Sequence, residues 1–502
     1  MRTLISFFLL LLLCAPLAAQ RLDNVPRPAT VVQLAPATLD ELARVPVTTP
    51  LGRHNEKPRM QLAAPRAATD NAVVADFVKV VDAAAAAPPS PRGFQAAFDP
   101  FPGNKFFYDP ADASGAVGLH HVVGAFNSSL SVHDRTGNQL SFLSIYQFWH
   151  DDRYPDGTIY DPRLIYDAVN DRFVLAMLTD DNGTNGNLLF AVSAKGDPTG
   201  TWQRFRIGGT LSSRLTDDFT RMAFTADRIV ITANEYEGDA PTGAVNIFLI
   251  PRNGPFVDSP DLSTTLHASP AFDYTPVSAP DSTLRFLRQS NDTIVQYTLA
   301  VSPTEGTFTR TNTYLPPVSF LDGDGECVQL GTTKTVECDG SLLHYAFIRD
   351  GVLWIVHSAN DNAHGFIVIW KIAGGSGTAK GYMIGDAVKD YGYPSIAVNR
   401  FGAVLVGYSS FSSAIYPSSE YRYIDPDGNV SAAATVKNGE DWYGAERWGD
   451  YSTTVVDPLD DTNFWTLQSY ATPPFNGKHS TWGTWWTYVQ VKAPQRTRAA
   501  RH

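Results

Sequence analysis

The sequence predicts an all-β chain arranged as a β-propeller of seven four-stranded blades, within a range of six to eight. Three observations carry this expectation. Between about residues 96 and 491, short β-type runs such as HHVVGAFN, RFVLAML, NLLFAVSA, RIVITANEY, GFIVIWKI and AVLVGYSS recur between Gly, Asp, Asn and Pro. No helix-length amphipathic segment interrupts them, and aromatics make up 12% of the chain, which favours strands. The runs also repeat as larger blocks. DPRLIYDAVNDRFVLAML from Asp161, DDFTRMAFTADRIVITANEY from Asp217, DYGYPSIAVNRFGAVLVGYSS from Asp390 and GDYSTTVVDPLDDTNFWTLQSY from Gly449 share one plan. Each opens on an aspartate beside a turn residue, then gives a strand, a polar turn and a second strand. Further blocks start near Ala116, His267 and Ser341, which makes about seven blocks of about sixty residues. One four-stranded sheet cannot bury both faces; a ring of sheets buries each against its neighbours and leaves no long open edge. A β-sandwich does not explain the recurrence, and a β-helix needs a shorter period.

The chain starts with Arg2, an apolar stretch from Leu4 to Leu13 and small residues from Ala15 to Ala19. This is the pattern of a secretory signal, cut after Ala19. The apolar stretch is too short to span ~30 Å of hydrocarbon, and bulky Leu13 argues against a lipid anchor on Cys14. The expected product is secreted or periplasmic, with no membrane insertion after cleavage. Residues 20–95 are rich in Ala and Pro and read as a partly disordered spacer, with one short amphipathic helix over Val73 to Val81 and the linker AAAAAPPSP from Ala83. The propeller is expected over 96–491. Residues 492–502 form a basic tail with Lys492, Arg496, Arg498 and Arg501 and no acid.

Beyond the signal two cysteines stand in ECVQLGTTKTVEC, Cys327 and Cys338. Their symmetric placement about Gly331 to Lys334 predicts a β-hairpin with the sulfurs facing across it. In an oxidising compartment they pair, for at most ~3 kcal/mol. Two cysteines alone are too few for a metal site.

Within KGDPTGTW, Asp197, Gly200 and Trp202 sit on a tight turn between two strands, with Ser193 four residues before Asp197. Asp accepts from its own turn, Gly supplies a positive φ, and Trp packs beneath. This turn resembles the Asp-box hairpin of sialidase-like (BNR-type) propellers, Ser-x-Asp-x-Gly-x-x-Trp, with degenerate spacing. YPSIAVNRFGAVLVGYS, DASGAVGLHHVVGAFNSSLSVHDRTGN and WGDYSTTVVDP are similar to secreted bacterial propeller proteins whose activity is mostly unassigned. The resemblance covers roughly 96–491 and implies the fold; it implies little of function, because propellers host many activities. A sialidase would add an arginine triad and a Tyr-Glu pair, and these are not placed here.

In such a ring the innermost strands begin at one mouth of a central channel. Asp161, Asp217 or Asp218, Asp390 and Asp450 lead those strands, beside Arg163, Arg221, Tyr391, Arg447 and Tyr451. If they converge, they form a ligand-binding funnel. Carboxylates accept hydroxyls, arginines hold anionic groups and aromatics stack on sugar rings. Asp161, Asp218, Asp390, Asp450 and Tyr451 are then also the catalytic candidates, together with His120 and His121 as bases next to a uronate. The structural alternative is that each Asp caps its own turn or bonds the next blade. For the histidines it is that one packs inside and the other faces water. His150, between Trp149 and Asp151, is open to either role. Three acidic loops invite calcium: LTDDNGTNGN, DPLDDTN and LDGDGE, of which Asp322, Asp324 and Glu326 come nearest to a ligand set. Otherwise no cofactor is expected.

The net charge of −12 argues against nucleic acid as the partner. No Walker loop, GxSxG elbow, HExxH or redox CxxC occurs. Three functions stay open. The first is a module binding an extracellular glycan or other surface polymer at the channel mouth. The second is a carbohydrate-active enzyme, either a glycoside hydrolase using two mouth carboxylates or a polysaccharide lyase using His and Tyr. The third is a structural envelope protein. An enzyme needs an accessible carboxylate pair, a binder needs an aromatic platform, and a scaffold would have a plugged mouth.

Overall fold

The computed structural model describes residues 20–21, 27–28, 30–46, 72–81, 86–99 and 109–492. Within the last range it leaves out 152–157, 181–185, 209–213, 255, 257–261, 269–272, 291–292, 304, 318–324, 340–342, 362–363 and 375–377. The signal, most of the basic tail, Asp322 and Asp324 lie outside the described residues.

The strands form seven antiparallel blades. Their innermost strands are, in chain order, Ser114–Val117, Thr158–Asp167, Leu215–Phe224, Thr275–Pro276, Leu343–Arg349, Asp390–Val398 and Thr453–Val456. Each innermost strand touches the next, and that of blade 7 touches that of blade 1, so the ring is closed. This is the seven-bladed propeller that the block repeat predicts. One boundary moves: His267 belongs to the last strand of blade 3, Thr264–Ala268, and blade 4 begins at Thr275.

Packing follows from the period-2 alternation of strands. In Arg172–Asp180, Phe173, Leu175 and Met177 face blade 1, while Val174, Ala176 and Leu178 face blade 3. Both faces are buried, so these strands read as continuous apolar runs. The result is seven separate cores, one between each pair of adjacent blades. The last closes the ring: Trp465, Leu467 and Trp486 of blade 7 pack with Ala113, Val117 and Val122 of blade 1.

Residues before 100 join these sheets. Pro91–Asp99 is the outermost strand of blade 7, antiparallel to Trp482–Val489, and the chain then begins blade 1. The two ends of the ring are therefore fastened by main-chain hydrogen bonds. Val31–Thr38 adds a fifth strand to blade 2, Arg27–Pro28 to blade 3, and Gln20–Arg21 pairs with the outer strand of blade 4. The helix expected over Val73 to Val81 is instead the strand Ala72–Val81. It lies parallel to the outer strands of both blade 4 and blade 5 and joins them into one sheet. Two open sheet edges satisfy its backbone on both sides, which outweighs the weak amphipathic signal. Val74 and Val78, expected on the helix's apolar side, are 65% and 57% exposed. Capping such edges removes a template for aggregation. Among the described residues no helix is long and apolar enough to cross a membrane.

Cys327 and Cys338 form the expected disulfide, with Cα atoms 5.4 Å apart, across the hairpin of Glu326–Cys327 and Val336–Glu337. The hairpin docks on blades 6 and 7: Gln329 donates to the Tyr443 carbonyl and accepts from its N–H.

Gly381, in the outer strand of blade 5, shows how tightly the N-terminal strand is seated. A Cβ there would lie 1.9 Å from the Ile369 carbonyl oxygen and 2.6 Å from the Phe77 ring. Gly381→Val is expected to cost about 1–3 kcal/mol and to detach 72–81. Urea unfolding and limited proteolysis check this, with cleavage inside 72–81 in the variant and not in the parent.

Candidate functional site

Each innermost strand has a positive-φ residue in its first half or just before it: Asp112, Asp161, Phe219, Asp273, Asp339, Tyr393 and Gly449, with φ of 45°, 57°, 60°, 61°, 70°, 54° and 138°. Only Gly tolerates this region easily, and Asp is enriched there because its side chain bonds locally. At Asp161, Phe219 and Tyr393 the conformation coincides with a break in strand register. The bulge turns the backbone N–H away from its own ladder and toward the neighbouring blade.

There it meets a side-chain oxygen. Asn127 of blade 1 accepts from Asp161 N–H at 2.9 Å. Asp161 accepts from Phe219 N–H at 2.6 Å and Thr220 N–H at 3.3 Å. Asn234 accepts from Asp273 N–H at 2.9 Å, and Asp339 from Tyr393 N–H at 3.0 Å. Across the closing joint, Asp112 accepts from Asp450 N–H at 2.7 Å. Asp161, one of the catalytic candidates in the sequence, is thus a buried stitch between blades 2 and 3.

Most of the expected residues do converge at this end. Arg163 lies across the channel, its guanidinium 4.9 Å from the Tyr345 ring centre and 4.6 Å from that of Tyr451. Phe219 stacks on Tyr451 at 5.6 Å, and Arg221 covers Phe219 at 4.1 Å while pairing with Asp273. Asp218 accepts from Phe219 N–H. Arg447 binds Asp450 at 2.9 Å and Glu337 at 2.9 Å. Burial, then Asp161, lifts the Tyr451 phenol well above its ordinary range, so it stays protonated. The mouth is filled by its own side chains rather than open as a funnel.

Asp390 and Tyr391 do not join them. Asp390 accepts from His364 and the Gly365 N–H, and Tyr391 packs on Tyr408 inside the core between blades 5 and 6. The counterpart of Asp161 in blade 6 is Tyr393, which carries the same bulge, so Asp390 and Tyr391 stand upstream of the channel-end position. His121 opens the second strand of blade 1, His121–Ala125, and His120 precedes it; both stand at the end of the ring opposite the mouth. His120 is exposed; His121 Nδ1 lies 3.3 Å from the Gly196 carbonyl, and its Nε2 lies 3.7 Å from Asp197. That contact holds blade 1 to the KGDPTGTW turn, where Asp197 accepts from Thr199 N–H and Trp202 donates to the Pro198 carbonyl. Of the calcium ligands, Glu326 accepts from Thr335. In the 457–463 loop, Asp457 takes Arg135 and Trp465, and Asp461 takes Arg349. Among the described residues no cluster of three His, Cys, Asp or Glu is suited to a metal.

Sequence reasoning missed Asp112, Asn127, Phe219, Asp273, Asp339, His344, Tyr345 and Tyr393. A signal existed: Asp112-Ala-Ser114, Asp161-Pro-Arg163, Asp273-Tyr-Thr275 and Asp339-Gly-Ser341 repeat Asp-x-polar at each strand start.

Beneath the plug the channel is a cavity of about 580 Å³ touching all seven blades. Arg163, Arg221, His344 and Tyr345 border it at the closed end; Arg349, Asp457 and Asp461 border it at the other. Exposure rises along the inner strands: Arg163 and Leu164 are buried, Ile165 and Tyr166 half-buried, so the cavity opens at the strand ends.

A second feature lies on the loops at the plugged end. The Trp442 indole stacks on His479 at 3.8 Å and 14°, and Lys334 lies 5.7 Å from its centre. On the same loops Val328 and Leu330 of the disulfide hairpin and Phe475 of the 472–481 loop are 47%, 36% and 45% exposed.

No family model matches the chain, and no curated protein matches it. Solved structures similar to it include a thermostable family-43 glycoside hydrolase, at 9% identity and TM-score 0.28, covering 77% of this chain and 90% of that one. The alpha-L-arabinofuranosidase PaAbf62A from Podospora anserina matches at 10% and 0.30, covering 76% and 98%. A Trypanosoma rangeli sialidase matches at 8% and 0.34, covering 75% and 58%. Likenesses this remote carry no argument about activity; the propeller rests on the sheets themselves.

Removing the Asp161 carboxylate takes the side-chain acceptor from the buried Thr220 N–H and leaves the Phe219 N–H to Asp218 alone, breaking the stitch between blades 2 and 3. Asp161→Ala is expected to lose about 2–4 kcal/mol in urea unfolding. Asp217, buried and bonded to Asn246 at 2.7 Å, is pushed up to about 8 by burial, and Asp112 is raised by burial and then by Asp450. Their folded state holds protons that the unfolded state releases, so they lose stability as pH rises from about 4 toward 8. His133 and His357, held near 4 by burial against an ordinary 6.5, oppose this only below about 6.5. Tm is therefore expected to fall from pH 6.5 to 8, and Asp217→Asn to flatten that fall.

Proposed function

We propose that this chain is a secreted or periplasmic propeller that binds an extracellular glycan or other surface polymer without cleaving it. The observation that carries the reading is the apolar, aromatic surface around Trp442 and His479, on the loops above the plugged mouth. Exposed patches of this kind mark interaction sites. The half-buried Trp442–His479 stack, with Lys334 over the indole and Asp441 3.7 Å from the histidine, sets aromatic edges beside polar groups. This moves the binding surface from the channel mouth, where the first reading placed it, to the neighbouring loops. The signal pattern and the disulfide support an oxidising compartment.

The enzyme reading has less support. Asp161, Asp218 and Asp450 are 1%, 6% and 4% exposed and already bonded, so no substrate oxygen reaches them as they stand. The plug favours the structural envelope reading as a second choice.

Affinity electrophoresis of the chain from Gln20 against a panel of polysaccharides, with a reducing-end assay on the same samples, separates the three. The expected result is retardation by one polymer, no new reducing ends, and roughly tenfold weaker retention of Trp442→Ala, on the order of 1.4 kcal/mol. Released product would establish the enzyme reading. Retention by none would leave the envelope role.

A further inference from the structure

The blind end of the central channel holds an arginine whose hydrogen-bonding capacity is unspent. Arg163 is 4% exposed. Among the described residues its guanidinium makes no hydrogen bond and no ion pair; its contacts are the faces of Tyr345 and Tyr451. Burying a cation costs several kcal/mol, and two ring faces return only about 2 kcal/mol or so. Ring faces also leave the five in-plane N–H donors unused.

The other ionic groups at this end are already committed. Arg221 is paired with Asp273, and His344 Nε2 lies 2.6 Å from Asp339. Asp161 holds the Phe219 and Thr220 amides, and Asp450 holds Arg447. So Arg163 faces the cavity as a cation with no carboxylate among the described residues bonded to it. The wall below it is mostly apolar, with Ile165, Ala346, Phe347 and Val455; the hydroxyls of Ser114, Thr275, Thr453 and Thr454 that also line it are bonded within the chain. A volume of about 580 Å³ falls inside the roughly 300–1,000 Å³ range of small-molecule sites.

We propose that the channel binds a small amphipathic anion, a carboxylate carried on an aliphatic body, entering from the strand-end opening with its head group on Arg163. A planar carboxylate takes two parallel N–H donors of a guanidinium, and the apolar wall desolvates the tail. A sugar polymer fits this wall poorly, because its hydroxyls would lose water without gaining partners. This site is separate from the polymer surface around Trp442, on the other side of the plug.

The test uses the chain from Gln20, the fluorescent apolar anion 8-anilinonaphthalene-1-sulfonate as reporter, and decanoate or decanol as competitor. The expected result is one decanoate per chain displacing the reporter, with decanol about tenfold or more weaker. Arg163→Met is expected to weaken decanoate by a similar factor while leaving polysaccharide retention unchanged. Should Arg163→Met fail to fold, Ala168→Trp, at an exposed position lining the cavity outside the cores, narrows the channel and keeps the arginine; it is expected to abolish decanoate binding. The proposal is overturned if decanoate does not displace the reporter, if decanol competes equally, or if the folded variant binds decanoate as the parent does.

Discussion

A buried side-chain oxygen of one blade holding a backbone N–H of the next is the contact on which the ring depends. A propeller blade offers its neighbour mainly flat apolar faces, and such faces can slide. The Asn127–Asp161, Asp161–Phe219, Asn234–Asp273, Asp339–Tyr393 and Asp112–Asp450 bonds fix the register between blades at one depth of the channel. At Asp161, Phe219, Asp273 and Tyr393 the donor itself has left-handed backbone, and that turn aims its N–H across the joint. Carboxylates so used have no lone pairs exposed for chemistry.

This constraint divides the molecule by task. The plugged end is devoted to closure, with Arg163, Tyr451 and Phe219 filling the space where seven strands crowd together. Recognition is displaced to the loops above the plug and to the cavity below it. The first offers rings with adjacent charge; the second offers an aliphatic wall under one cation. These are two chemistries for two kinds of ligand, and neither uses the aspartates that stand out in the sequence.

Closure at the periphery has a different origin. The seven cores lie between blades, so no core can form until two blades are adjacent, and the ring must be fastened before its last core is complete. The N-terminal segment does this with main-chain bonds, first along the edges of blades 4, 3 and 2, then between blades 4 and 5, and finally as the outer strand of blade 7. Its composition gives little sign of this, because an added edge strand needs backbone donors and acceptors more than any particular side chain.

The sequence by itself determined what local periodicity can encode. It set the strands, the repeat of nearly sixty residues, the hairpin of Cys327 and Cys338, and the gathering of Asp161, Arg163, Arg221, Asp450 and Tyr451 at one end. Each of these depends on residues near in the chain or on a repeat that any single blade shows. Packing between blades settled that those aspartates face backbone amides rather than solvent, that Tyr393 and not Asp390 or Tyr391 reaches the channel end, and that 72–81 is a strand. These outcomes depend on which group stands opposite across a joint, often fifty to several hundred residues away, and alternation within one strand carries no record of that partner.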